Sequence, residues 1–152
     1  IDFYQKSDAN NPQRLKRYLE IHTYTGKKIS SFYRKEKIKR DFKIIKIGIS
    51  TDREILYNRI NQRVDQMIKN GLIDEAKGLF QYQKFNALNT VGYKELFDFF
   101  DKKINKETAI KEIKKNSRRL AKRQITWFKK DKQINWFNLN QEKEIIKFIL
   151  ES

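Results

Sequence analysis

The chain has no cysteine and a single histidine in 152 residues. The first absence excludes a disulfide scaffold and any thiolate zinc site; the second leaves His22 unable to build a metal cluster without many carboxylates around it. Acidic residues are outnumbered, with 19 Asp and Glu against 35 Lys and Arg and a formal charge of +16. Such a surface expects a polyanionic partner, although a compositional bias towards Lys, Ile and Asn accounts for part of the excess. Long apolar runs are missing too: the nearly apolar stretches last only a few residues and no amino-terminal signal pattern is present. A membrane span is excluded on length, and a cytoplasmic setting is expected. What is present is aromatic: eleven Phe, seven Tyr and two Trp within a hydrophobic share of 38%. That suffices for one domain-sized core and argues against disorder throughout. Because the chain opens on Ile1 rather than Met, it reads as a piece of a longer protein.

Asn11 and Pro12 open a helical pattern in which Leu15, Leu19 and His22 recur on one side until Thr25-Gly26. Residues 27–42, with Tyr33, Arg34, Lys35, Lys37, Lys39 and Arg40, read as a basic connector. The stretch from Lys43 to Ile49, KIIKIGI, suits a buried strand, and Thr51-Asp52-Arg53-Glu54 is expected to form a capping box leading into a helix that ends near Asn70-Gly71. Further helices are expected from Leu72 to Tyr82, from Gly92 and from Lys106 to Lys130 behind an Asn105 cap, then a strand at Ile134–Leu139 and a closing helix from Glu142. A strand passing directly into a helix is an α/β signature. Two strands do not make a doubly wound sheet, so the fold class expected is a predominantly helical α/β fragment whose strands require neighbours from elsewhere.

Projected at about 100° per residue, Leu56, Ile60, Val64 and Met67 form an apolar stripe, with Arg59 and Arg63 at its edge near the buried side. Guanidiniums there need anionic partners, either carboxylates of the fold or phosphate oxygens. On the long helix, Ile110, Ile113, Ser117, Leu120, Gln124, Trp127 and Phe128 share one side, opposite an arc of Arg118, Arg119, Lys122, Lys129 and Lys130. Gln124, placed among apolar residues, is expected to bond either backbone or a ligand edge such as a nucleobase. The basic arc reads either as a solvated face or as a phosphate-binding ridge.

Four ordered segments resemble the tRNA dimethylallyltransferase family, also called isopentenyl-tRNA transferases. They are RLKRYLEIHTYTGKKIS at 14–30, DREILYNRINQRVDQMIKNGLIDEAKGL at 52–79, TVGYKEL at 90–96 and SRRLAKRQITWF at 117–128. The resemblance implies a P-loop-like nucleoside triphosphate hydrolase fold with a helical insertion. Residues 1–42 then match the return limb of that insertion and a connector, and residues 43–152 the carboxy-terminal part of the catalytic core. It implies transfer of a dimethylallyl group from dimethylallyl diphosphate to N6 of the adenine 3′ to the anticodon.

The family's Gly-rich phosphate loop and catalytic Asp belong to its amino-terminal half. No G-x-x-x-x-G-K-[ST] occurs here, so this chain alone is expected to be inactive and to bind no metal, the complete enzyme using Mg2+. By the same resemblance one diphosphate-binding arginine is Arg59 or Arg63, the other being a brace paired with a carboxylate. Arg118, Lys122, Arg123 and Gln124 take substrate-facing roles, and Arg119 replaces the usual Gln of the motif. The expected partners are the tRNA anticodon arm and, in the complete enzyme, dimethylallyl diphosphate, with the protein a monomer. The competing class is a non-catalytic basic RNA-binding module.

Overall fold

The computed structural model describes residues 11–33 and 41–152. It divides into two compact units, Ile1–Lys43 and Ile44–Ser152. In the first, α1 spans Pro12–Thr25. Asn11 Oδ1 accepts the Arg14 N–H at 3.2 Å, Pro12 occupies the first turn, and Gly26 closes the helix in the left-handed region at φ 66°. Both caps follow from local chemistry, a side-chain acceptor at one end and freedom from a Cβ at the other. No residue of α1 is buried, and Leu19 and His22 are exposed. Ile29–Phe32 forms a 3₁₀ turn, and the rest of the expected connector, residues 34–40, lies outside the described residues.

The second unit runs β1 (Lys46–Ser50), α2 (Arg53–Lys69), α3 (Leu72–Leu79), α4 (Tyr93–Phe100), α5 (Lys106–Phe128), β2 (Ile134–Asn138) and α6 (Glu142–Leu150). Short 3₁₀ turns lie at Phe80–Tyr82 and Asn86–Leu88. The first strand starts three residues later than KIIKIGI predicts. Its ladder begins where Lys46 faces Ile134, and the strands then run parallel to Ser50 opposite Asn138. The capping box expected at Thr51–Glu54 does not form: Asp52 takes the cap position and makes no side-chain cap bond, because the chain stays extended one residue longer.

The core is helical. Val64 of α2, Leu72 and Ala76 of α3, Leu96 and Phe97 of α4, and Ala109 and Ile113 of α5 are buried together. The apolar stripe of α2 therefore points inward as its spacing predicts, with Leu56, Ile60 and Met67 half-buried beside Val64. Phe80 packs on Phe97 and Phe100, ring centres 5.8 and 5.5 Å apart.

One charged side chain lies in this core. Glu95 accepts the Gly92 N–H at 2.8 Å with one carboxylate oxygen and the Asn116 side-chain amide at 2.7 Å with the other, so it fastens the start of α4 to the middle of α5. Both oxygens are satisfied, which is what makes a buried carboxylate tolerable. Tyr93 donates to Glu75 and ties α4 to α3; that bond, with burial, raises the phenol above its usual range.

Candidate functional site

The middle of the long helix decides which basic side chains are held and which are not. Its inner face changes along its length: Ala109 and Ile113 enter the core, and Ser117, Ala121 and Ile125 continue the packed line half-buried. Leu120, Gln124, Trp127 and Phe128 consequently face outward, with Trp127 68% exposed. This corrects the sequence expectation for Gln124, whose carboxamide is exposed rather than set among apolar side chains. Arg118 moves the other way. It turns towards α2, half-buried, and donates to Asn61 Oδ1 at 2.6 Å. Lys122 and Arg123 are exposed.

Arg118 also stands over the ring of Tyr57, its guanidinium carbon 5.8 Å from the ring centre, while Arg53 lies 5.1 Å from that centre and donates Nε–H to the Tyr57 hydroxyl at 3.0 Å. A phenol attracts cations to its ring through the quadrupole, so Tyr57 holds two arginines in place. Sequence reasoning missed this group. Its signal was the i, i+4 line of Arg53, Tyr57 and Asn61 beside the apolar stripe of α2.

Beside these residues a cleft of about 350 Å³ opens at the carboxyl end of β1, between the first turns of α2 and the last turns of α5. Leu56, Tyr57 and Ile125 give it an apolar floor, Ser50, Thr51 and Thr126 add hydroxyls, and Arg53, Lys122 and Lys129 supply charge. In parallel sheets ligands gather at the carboxyl ends of strands. A separate cleft of about 920 Å³ runs along the sheet, lined by Ile47, Ile49, Trp127, Phe128 and Trp136.

Arg59 and Arg63 are brought to neither cleft. Both are exposed on α2 rather than turned towards its buried side. The carboxylate brace expected for one of them is not found among the described residues: Asp65 on the same helix is taken by Lys114 at 2.6 Å. Among the described residues no three His, Cys, Asp or Glu side chains lie together as a metal would need, and no helix is long and apolar enough to cross a membrane.

The family model for IPP transferase matches residues 1–131. A tRNA dimethylallyltransferase of Christiangramia forsetii is 56% identical over 151 residues, covering 99% of this chain and 50% of that protein. The tRNA dimethylallyltransferase 1 of Bacteroides thetaiotaomicron is 48% identical, covering 97% and 48%. Among solved structures, the tRNA isopentenylpyrophosphate transferase of Bacillus halodurans superposes with a TM-score of 0.67 at 37% identity, covering 97% of this chain and 47% of that one. The tRNA delta(2)-isopentenylpyrophosphate transferase of Staphylococcus epidermidis gives 0.67 at 32%, covering 97% and 52%. The chain spans about half the length of the curated relatives it matches. With the match to the family model over residues 1–131 and these identities, the chain belongs to the IPP transferase family, of which it is a carboxy-terminal part.

Proposed function

We propose that this chain is the carboxy-terminal portion of a tRNA dimethylallyltransferase, which moves a dimethylallyl group from its diphosphate to N6 of the adenine 3′ to the anticodon. The observation that carries the reading is the 56% identity to a tRNA dimethylallyltransferase over 99% of the chain. A free-standing RNA-binding module has no comparable support. The P-loop-like core with its helical insertion, the Gly-rich loop and the general-base Asp are assigned to the complete enzyme, as is its cytoplasmic setting. The Mg2+ that the resemblance implies is assigned to the complete enzyme as well.

Within this chain we assign two tasks. On the RNA side, Arg118, Lys122 and Arg123 contact backbone phosphates, with Gln124 exposed beside them for a polar contact. Arg118 is the fixed member, since Asn61 and Tyr57 hold it. On the donor side, Arg59 or Arg63 stabilises the departing diphosphate. Both are exposed and neither is neutralised by a carboxylate among the described residues, so either can meet an anion. Charge aimed at a leaving group contributes most as the C–O bond breaks.

The test uses the complete enzyme. In single-turnover transfer at saturating tRNA and donor, R59A or R63A is expected to slow the chemical step on the order of a hundredfold or more. The other variant, and tRNA affinity in both, should change far less. Near-normal rates in both variants would return these arginines to a solvated role.

A further inference from the structure

We infer that the cleft at the carboxyl end of β1 is a phosphate-ester site, with Arg53 and Lys129 as binding residues beside Lys122 and with Tyr57 as the residue that positions Arg53. The owner of the phosphate rests on the proposed function: it is a nucleotide of the RNA or the prenyl diphosphate, and the chemistry recognised is the same.

The charge distribution is the first ground. Some cations of the second unit are neutralised locally, Lys46 by Asp131 at 2.7 Å, Lys114 by Asp65 at 2.6 Å, Lys115 by Glu112 at 2.7 Å, and Lys103 by both Asp98 and Asp101, while others, Arg59 and Arg63 among them, stand apart on the surface without an ion pair among the described residues. Arg53, Lys122 and Lys129 line one cleft with no carboxylate among its walls, and none of the three has an ion pair among the described residues. Gathering like charges around one space without a counter-charge is unfavourable, and an anionic ligand relieves it.

The second ground is how Arg53 is held. Its Nε–H donates to the Tyr57 hydroxyl at 3.0 Å and its guanidinium carbon lies 5.1 Å from the ring centre, two contacts that favour one placement of a long side chain. The terminal N–H groups keep the planar fork that suits a phosphate. A solvated surface arginine needs no such seat.

The shape is the third. Leu56 and Ile125 form an apolar floor below a cationic rim with Thr51 and Thr126 hydroxyls, in a volume of about 350 Å³. That combination suits an organic phosphate, with a body to cover the floor and a phosphate to meet the rim, better than a bare inorganic anion. The site is also separate from the donor-side arginines already assigned. Neither Arg59 nor Arg63 lines the cleft, and at about 100° per residue they lie roughly 120° and 80° around α2 from Arg53.

The experiment measures binding of two probes, an anticodon stem-loop RNA and dimethylallyl diphosphate, to the complete enzyme and to its R53A, K129A and Y57F variants. Unfolding midpoints serve as the control for folding. R53A and K129A are each expected to weaken one probe by about tenfold, in line with loss of a charge-assisted bond. If the phosphate belongs to RNA, stem-loop affinity falls, its log–log salt slope drops by roughly 0.7 to 0.9 per variant, and donor binding is unchanged. If it belongs to the donor, the pattern reverses. Y57F, which keeps the ring and removes the acceptor for Arg53, should move the same probe in the same direction by less, at an unchanged midpoint. Unaltered binding of both probes in R53A and K129A overturns the inference. If R118A and K122A weaken RNA binding while R53A and K129A leave both probes unaffected, this cleft alone is refuted; if the wild-type enzyme binds neither probe, the proposed function falls and the inference with it.

Discussion

Gly48 lies in the middle of β1 opposite Trp136, and the space a side chain would need is already filled. A Cβ built there would come 2.7 Å from Ile134 Cγ2 and 2.7 Å from Trp136 Cε3, closer than any normal contact. Trp136 is a half-buried ring on the partner strand, so it has no flexible end to yield. Gly48→Ala is therefore expected to destabilise the chain by about 1 to 3 kcal/mol, the usual cost of overpacking, seen as a lower denaturant midpoint; an unchanged midpoint would show that the indole moves without penalty. Only the glycine itself was legible in KIIKIGI, since the group it admits comes from a strand more than eighty residues away. The two arginines of α2 illustrate the same limit. Periodicity placed them beside the apolar stripe, but how far round the helix the core extends is decided by α3, α4 and α5. That wall ends before Arg59 and Arg63, which is why both are exposed.

Elements were most legible where one or two neighbouring residues fix the backbone. Asn11 and Asn105 cap α1 and α5 through their side chains, Asn105 accepting the Thr108 N–H at 2.8 Å, and Gly26 and Gly71 take the left-handed turn that ends a helix. The second half of α5 was not legible, because its inward line of Ser117, Ala121 and Ile125 is less apolar than the outward line of Leu120, Trp127 and Phe128. Pattern alone selects the wrong side there. The β1–β2 pair adds a dependence on pH. Lys46 Nζ donates to Asp131 Oδ2 at 2.7 Å and to Gln133 Oε1 at 2.9 Å, while Asp131 Oδ1 accepts the Gln133 N–H at 2.9 Å. The bond from Lys46, and then that from Gln133, holds the Asp131 carboxyl below its ordinary value. A carboxylate depressed in the folded state stabilises it above the unfolded value, near pH 4, and loses that contribution as pH falls through the folded value. Amide exchange in β2 should accordingly be steady from pH 7 to 5, after correction for intrinsic rates, and accelerate below about pH 4. Asp131→Asn should remove that acid step, and an equal step in the variant would assign it to other carboxylates.

At the scale of the molecule, the parallel pair is the part most in need of company. Parallel strands are normally covered on both faces and flanked by further strands. Here Ile49 is 49% exposed, and Trp127 and Phe128 stand at 68% and 45% beside the cleft along the sheet. The chain spans about half the length of its curated relatives, and the remainder of the complete enzyme is expected to cover that face. Backbone N–H groups along a strand point alternately to its two edges. With β2 on one edge of β1 and no strand on the other among the described residues, only alternate amides between Lys46 and Ser50 are bonded within this sheet, and the others point to the open edge. Hydrogen exchange followed by NMR should give an alternating pattern of slow and fast amides over residues 46–50 in the isolated chain, and uniformly slow exchange in the complete enzyme, where a further strand pairs with the open edge. Trp127 should at the same time become less accessible to a neutral fluorescence quencher. If the alternation persists unchanged in the complete enzyme, no strand joins β1 at that edge, and the exposed apolar face has to be explained without the rest of the protein.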